Sequence, residues 1–478
     1  MKTRALVLAG LFCIAWAGPR SSVWAQQRTA PAPSLPTAAV AAIPASAVPA
    51  ATPPVLPAAE PPRVDGGGSQ GQAAASLSPS ARQIFEQSRA QLVQIRTVLK
   101  GRASQSSVGS GFFVTHEGHI VTNFHVVAEA ALKPQRYDLV YVGADGREAP
   151  ATILQIDVRH DLALLKAGDA QGRQFEALPL RAAGQALAQG ERIYSLGNPL
   201  DVGFAVTEGN YNGLVKRSFY PQIFFGGALS AGMSGGPALD QSGQVIGVNV
   251  ARRVDGEQVS FLVPVSFVEA LLSGSRDAPP LALPAYPTLT AQLQQHQEEL
   301  TNRFIRQGWK PHTNPRYRVP VPNDEFMRCW GSSQTSRTGG MSMERSDCVM
   351  DTRIFAGDFS IGFIGVRHES YDGSKIGPLR YAERNARSFD NESFVRPTTY
   401  QTQPQCHEDF VDRAGLTLRA VICMRAYKRL PQLYDVSVLV ATLDQPSAGV
   451  QGRFDAEGVS FANAQRLARY YLDAYAWN

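Results

Sequence analysis

The sequence predicts a mainly β protein in which an all-β block, a sandwich or barrel, is followed by a smaller α+β domain. Three observations lead there. Short apolar runs recur between residues 107 and 264, each broken by Gly, Asn or a charged turn. Two Pro-rich stretches bracket that block. Beyond the second stretch the texture becomes helix, strands, helix, which suits an α+β domain. The chain has 478 residues, 44% hydrophobic and 18% charged, enough for two or three domains with substantial cores.

The first 25 residues read as a secretory signal. Lys2 and Arg4 open it, residues 5–17 are apolar, and Val23-Trp24-Ala25 or Ala15-Trp16-Ala17 offers a small-residue cleavage site. The run is short for a bilayer span. Contact with a membrane is expected only if this segment is retained. Residues 26–77 are rich in Pro and Ala, then Gly, and carry almost no charge, so they are expected to stay unfolded and extended. About 50 such residues at ~3.1 Å each would reach roughly 150 Å.

The all-β block is expected over 78–275. Residues 81–99 have a helical rhythm in Ile84, Leu92, Ile95 and Leu99. Strand-like runs follow at 111–114, 119–122, 137–142, 151–156, 192–196 and 245–250, and 265–272 reads as a short helix. Residues 276–287 read as a second linker. In the α+β domain, 288–478, Leu289, Leu293, Leu300 and Phe304 mark one helix face. Strands are expected at 353–355, 359–366, 418–427 and 434–443, and an amphipathic helix over 460–477.

Outside the signal the cysteines are Cys329, Cys348, Cys406 and Cys423, an even number in the C-terminal part of an exported chain. Two local disulfides, Cys329–Cys348 and Cys406–Cys423, are the simplest of three pairings. No CxxC pair supports a zinc site, and no metal or cofactor is expected. The net charge of +5 is small and scattered, so no nucleic-acid footprint is seen.

The chemistry concentrates in three strings. Gly232-Met233-Ser234-Gly235-Gly236-Pro237 places a serine between glycines. Thr122-Asn123-Phe124-His125-Val126-Val127 ends an apolar run on a histidine, and Asp161 opens the apolar run 162–165. Attack on an amide needs a nucleophile, a base, a carboxylate to orient the base, and donors for the oxyanion. Ser234, His125 and Asp161 supply the first three in an order known to build a triad, and the amides of Gly232 and Ser234 are the candidate donors. Alone, each residue reads as structural: a strand-end His, a turn Asp, a Gly-rich turn. The serine string also fits the nucleophile elbow G-x-S-x-G. That fold needs a following helix and a later His, whereas 238–250 reads as strand, turn, strand.

Residues 107–270 resemble bacterial trypsin-like serine proteases of the HtrA/Deg type. The resemblance rests on Ser110-Gly111-Phe112 with the histidine string, on the serine string, and on Asp161-Leu162-Ala163-Leu164-Leu165-Lys166, Ser195-Leu196-Gly197-Asn198-Pro199, Val206-Thr207-Glu208-Gly209 and Ser260-Phe261-Leu262-Val263-Pro264. The 36 residues from His125 to Asp161 and 73 from Asp161 to Ser234 suit two small domains. The resemblance implies a chymotrypsin-like pair of six-stranded antiparallel β-barrels with the triad in the cleft between them. It implies a serine endopeptidase acting on protein or peptide substrates through an acyl-enzyme. It also implies Ala228, Asn249, Val250 and Ala251 near the specificity pocket, with a small or medium apolar residue preferred over Lys or Arg; Arg252 and Arg253 leave an acidic preference open.

The chain departs from the pattern in two ways. Met233 stands where pancreatic-type enzymes carry an aspartate that pairs with a freed N-terminus, so no such zymogen switch is expected. No PDZ-like pattern follows the β block. The C-terminal domain carries no constellation of its own: Cys406-His407-Glu408-Asp409 reads as a solvated turn beside a disulfide, and the aromatic end 470–477 reads as core. Substrate or partner-protein binding is its expected role. The rival reading is a binding or chaperone-like module on a protease fold with little turnover. The expected location is the periplasm, with secretion further out as the alternative.

Overall fold

Ser78 caps the first helix, α1 (Pro79–Ser88), by accepting from the Ala81 amide at 3.1 Å, and Pro79 fits the first turn. The computed structural model describes residues 77–102, 104–182, 184–252, 259–311, 314–323, 325–334, 340–390, 394 and 398–478. The signal and Pro/Ala-rich expectations for residues 1–76 lie outside the described residues.

The predicted helix over 81–99 ends early. Its second half is β1 (Leu92–Leu99), which pairs with β2 (Ser104–Phe113) on one side and β4 (Tyr137–Gly143) on the other. With β3 (His119–Thr122), β5 (Glu148–Asp157) and β6 (Leu162–Ala167) these close a six-stranded antiparallel barrel in the order β1-β2-β3-β6-β5-β4. A second closed barrel runs β10-β11-β12-β9-β8-β7, from β7 (Arg192–Gly197), β8 (Ala205–Leu214), β9 (Ile223–Phe225), β10 (Pro237–Leu239), β11 (Val245–Arg252) and β12 (Ser260–Pro264). Closure leaves no strand edge unpaired. Between β3 and β4 lies α2 (Phe124–Leu132), apolar almost all round and buried on nearly every position. Leu92, Phe112 and Leu164 of the first barrel share one cluster with Leu196, Leu239 and Val248 of the second, and α3 (Val265–Ser275) adds Val268 and Leu271.

Residues 276–287, read as a linker, lie along the first barrel. The Leu281 amide donates to Ile153 O at 2.8 Å and the Ala285 amide to Ala131 O at 2.9 Å. Helix α4 (Tyr286–Gln307) follows and ends on Gly308 at φ 71°, a glycine-favoured stop. Its predicted face is buried in two directions: Leu289 and Leu293 join the first barrel's core, while Leu300 and Phe304 join the C-terminal core.

The C-terminal region forms a seven-stranded antiparallel sheet. Its strands are β13 (Arg328–Gln334), β14 (Ser342–Val349), β17 (Ile364–Asp372), β18 (Gln405–Arg413), β19 (Leu416–Ala426), β20 (Tyr434–Thr442) and β21 (Ala448–Val459), in the order β13-β14-β17-β21-β20-β19-β18. Between β14 and β17 a small hairpin, β15 (Ile354–Phe355) and β16 (Ser360–Ile361), reaches away from the sheet. Helix α5 (Pro378–Ser388) precedes β18. Helix α6 (Phe461–Leu472) packs with α4 on the sheet, its Ser460 cap accepting from Asn463 N at 3.2 Å.

The edge strands β13 and β18 are mostly exposed, so packing holds them weakly. The two disulfides staple these strands to their neighbours: Cys329–Cys348 joins β13 to β14 and Cys406–Cys423 joins β18 to β19, each between directly opposed residues. Among the described residues no helix is long and apolar enough to cross a membrane.

Candidate active site

His125 occupies the first turn of α2, and Asp161 the turn just before β6. The Asp161 carboxylate grips His125 twice. Oδ2 lies 2.6 Å from the ring Nδ1, and Oδ1 accepts from the His125 backbone amide at 2.9 Å. The aspartate's own carbonyl accepts from Asn123 Nδ2 at 2.8 Å and from the Phe124 amide at 3.2 Å. Four bonds therefore fix the loop before β6 to the N-terminus of α2, where a negative charge is favoured. Asp161 takes φ 55°, a left-handed conformation that costs a non-glycine residue of order 1 kcal/mol.

With Nδ1–H bonded to the carboxylate, Nε2 is left as the acceptor. Burial works against a charged ring at His125. The charge and hydrogen bond of Asp161 together overcome it and hold the pKa above the ordinary 6.5.

Ser234 sits in a turn that glycine makes feasible. Gly235 adopts φ 85°, and a Cβ there would lie 2.2 Å from Ser110 O; one on Gly236 would lie 2.1 Å from Leu196 O. The Ser234 carbonyl accepts from Ser110 N at 2.8 Å. Gly109 is wedged between Val126, the neighbour of His125, and the Ser234 backbone, so the two strings meet across the barrels. The Ser234 hydroxyl donates to Val250 O at 3.3 Å and makes no hydrogen bond to His125 in this conformation. Turning Ser234 about χ1 is what an attack would need.

Neither the Gly232 nor the Ser234 amide donates to another protein group among the described residues. Met233, the residue before Ser234, is buried with Ile193, Leu229 and Leu262 in the second barrel's core.

Ser110 is a site residue that the sequence reading left out. Its hydroxyl donates to Gly232 O at 2.7 Å and accepts from Asn198 N at 2.8 Å, and its carbonyl accepts from Thr122 Oγ1 at 2.7 Å. It thus braces the Ser234 turn against β2. The signal was its place in the Ser110-Gly111-Phe112 string.

The specificity candidates separate. Val250 lines a cleft of about 460 Å³ that also contains Asp161, His160 and Phe261. Ala228 is exposed. Asn249 is absent from the lining of that cleft; it is fully buried, and its amide donates to Leu196 O at 2.9 Å and Met233 O at 3.2 Å while its carbonyl accepts from Ser195 Oγ at 2.7 Å. Its polar atoms are consumed inside, holding the Ser234 turn. The side chains of Ala251 and Arg252, and all of Arg253, lie outside the described residues.

Residues 109–248 match the trypsin-like peptidase domain family model. That match falls on the two barrels. Over 184 residues the chain is 35% identical to "Serine protease HTRA2, mitochondrial" of Drosophila pseudoobscura pseudoobscura, covering 36% of this chain and 40% of that protein. Over 158 residues it is 34% identical to "Probable periplasmic serine endoprotease DegP-like" of Rhizobium meliloti (strain 1021), covering 32% of this chain and 29% of that protein. A solved serine endoprotease from Yersinia pestis aligns at TM-score 0.36 and 22% identity, over 42% of this chain and 68% of that one. The chain spans well under half the length of these two curated relatives.

Proposed function

We propose that the chain is an exported serine endopeptidase whose peptidase domain, 78–275, is followed by an accessory domain, 288–478. The single observation that carries the reading is the two-point grip of Asp161 on His125 beside the glycine-framed Ser234. His125 Nε2 takes the Ser234 proton as Oγ forms a bond to the scissile carbonyl carbon. The carbonyl π electrons move to oxygen, and the Gly232 and Ser234 amides receive that oxyanion. Collapse breaks the C–N bond, His125 returns the proton to the leaving amine, and an acyl-enzyme remains. Water, deprotonated by the same histidine, then releases it. Asp161 holds the Nδ1–H tautomer and stabilises the imidazolium. Substrates are proteins or peptides. The two disulfides and the name of the Rhizobium relative support an oxidising, periplasmic setting.

Labelling by a fluorophosphonate, with Ser234→Ala as control, tests this: the wild-type chain is labelled and the variant is not. A second reading, a binding or chaperone-like module with little turnover, draws on the Ser234 hydroxyl resting on Val250 O. Absence of labelling in folded wild-type protein decides for it.

A further inference from the structure

The hairpin β15–β16 belongs by sequence to the C-terminal region but is built into the peptidase domain. Ile354, Ala356 and Ile361 are buried in the same apolar cluster as Val93, Phe124 and Leu165 of the first barrel. Its turn is clamped on α2, the helix that carries His125. Gly357 takes φ 95°, and a Cβ there would stand 2.8 Å from Leu132, so the turn lies flush against the helix. Asp358 Oδ1 meets Lys133 Nζ at 2.9 Å. On the other flank, Arg353 pairs with Glu457 at 2.7 Å and stacks 3.9 Å over the Phe363 ring. The hairpin is therefore held from both sides.

One apolar side chain of the two hairpin strands is only partly taken up by the packing. Phe355 is half-buried, flanked by the buried Ile354 and Ala356. Its ring meets His125 edge-on at 6.2 Å between centroids and Phe124 at 6.4 Å. Its remaining surface faces the same 460 Å³ cleft that contains Asp161 and Val250. Val250 is the residue whose carbonyl receives the Ser234 hydroxyl. The cleft thus runs from the nucleophile's neighbour to a phenyl face supplied from outside the barrels. Val215, Phe261 and Ile354 also line the cleft, as do Arg159, Arg328 and Arg353, whose guanidinium groups are engaged by Asp157, Asp351 and Glu457.

We propose that Phe355 is a specificity-determining residue: it forms a wall of the substrate cleft and selects peptides with an apolar side chain flanking the scissile bond. This rests on the endopeptidase reading above. A polar side chain laid against the Phe355 ring would lose water to a phenyl face that offers no conventional hydrogen bond, whereas an apolar one would gain contact area.

The test uses the mature full-length chain, Phe355→Ala and Phe355→Leu, with three readouts: fluorophosphonate labelling of Ser234, a quenched-peptide library varied around the scissile bond, and kcat and KM on the best peptide. For Phe355→Ala we expect labelling within about threefold of wild type. The preference for apolar side chains flattens, and kcat/KM on the preferred peptide falls about tenfold, mainly through KM. Phe355→Leu restores most of the preference; if the alanine variant does not fold, the leucine variant's shift toward aliphatic over aromatic side chains is the reading. An unchanged library profile in a labelled Phe355→Ala variant overturns the proposal, as does, where only the leucine variant folds, an unchanged balance of aliphatic over aromatic side chains. So does a loss of labelling and kcat with the profile intact, which would make Phe355 only a support for His125. Failure of the wild-type chain to label removes the endopeptidase reading, and the proposal with it.

Discussion

Tyr220, in the loop before β9, donates its hydroxyl to Nδ1 of His296 on α4 at 2.8 Å, a buried bond between the second barrel and the helix leading to the C-terminal sheet. The other ring nitrogen of His296 faces Gly362 O at 3.4 Å, at the end of the hairpin. Tyr220 also meets the His160 ring at 4.7 Å, next to Asp161. Tyr220→Phe leaves Nδ1 buried without a donor, and we expect a loss of about 1–3 kcal/mol in denaturant melts. An unchanged midpoint would mean that water or repacking satisfies the ring.

The same histidine predicts acid sensitivity. Burial pushes His296 down to about 4. Between that value and its ordinary 6.5 the unfolded chain binds more protons than the folded one, so stability rises with pH across this window. His296's contribution is complete above about pH 6.5 and is lost as pH falls toward 4. Melting temperatures measured from pH 7 to pH 4 should fall more steeply in the wild type than in His296→Gln.

His125 titrates in the opposite sense. Its pKa is raised, and in the proposed mechanism only the neutral ring can accept the Ser234 proton, so kcat/KM should fall as pH drops through that raised value. Asp161→Asn removes the charge and leaves burial unopposed, which moves the acidic limb to lower pH. It also permits the wrong tautomer, with an expected loss of about 10⁴-fold in kcat. A pH–rate profile of both forms measures the two effects. An acidic limb that stays in place would show that Asp161 does not set the His125 pKa.

Ser110→Ala cuts the brace on the Ser234 turn. Gly232 O loses its donor and Asn198 N its acceptor, at a cost of about 1–2 kcal/mol in how well the turn is held. We expect kcat to fall roughly tenfold with KM little changed, because the turn carries the proposed oxyanion donors. Steady-state kinetics and the acylation burst separate this from a general loss of fold, which would lower the active fraction instead.

The disulfides sit on opposite edges of one sheet and close loops with sequence separations of 19 and 17. Loops of this size suggest about 3 kcal/mol for each bridge. The double substitutions Cys329→Ser/Cys348→Ser and Cys406→Ser/Cys423→Ser should lower stability by similar amounts, and the losses should add because the edges share no partners. Strong non-additivity in urea melts would mean that the two edges unfold together.

Residues that carry both local chemistry and local pattern were legible in the sequence. His125, Asp161 and Ser234 announced themselves by type and neighbours, and Leu289, Leu293, Leu300 and Phe304 by period. β1 was not legible. Its Leu92, Val93, Gln94 and Ile95 are all buried, because a barrel strand clamped between two cores shows no alternation, and the spacing of Leu92, Ile95 and Leu99 then imitates a helix. β13 and β18 were missed for the opposite reason: exposed edge strands carry few apolar residues to alternate. Asn249 looked like a pocket residue from its place beside Val250; only the fold shows its amide turned inward. Phe355 gave no signal, since its role depends on a contact more than 200 residues away along the chain.

Ile354, Ala356 and Ile361 complete the core of a barrel whose last strand ends nearly two hundred residues earlier. Cutting the gene at 276–287 would strip that barrel of part of its interior and leave an oily scar beside His125. The two halves are therefore poor currency for domain shuffling. Recombination that swaps one without the other must repair the seam, so peptidase and accessory domain are expected to be inherited as one unit.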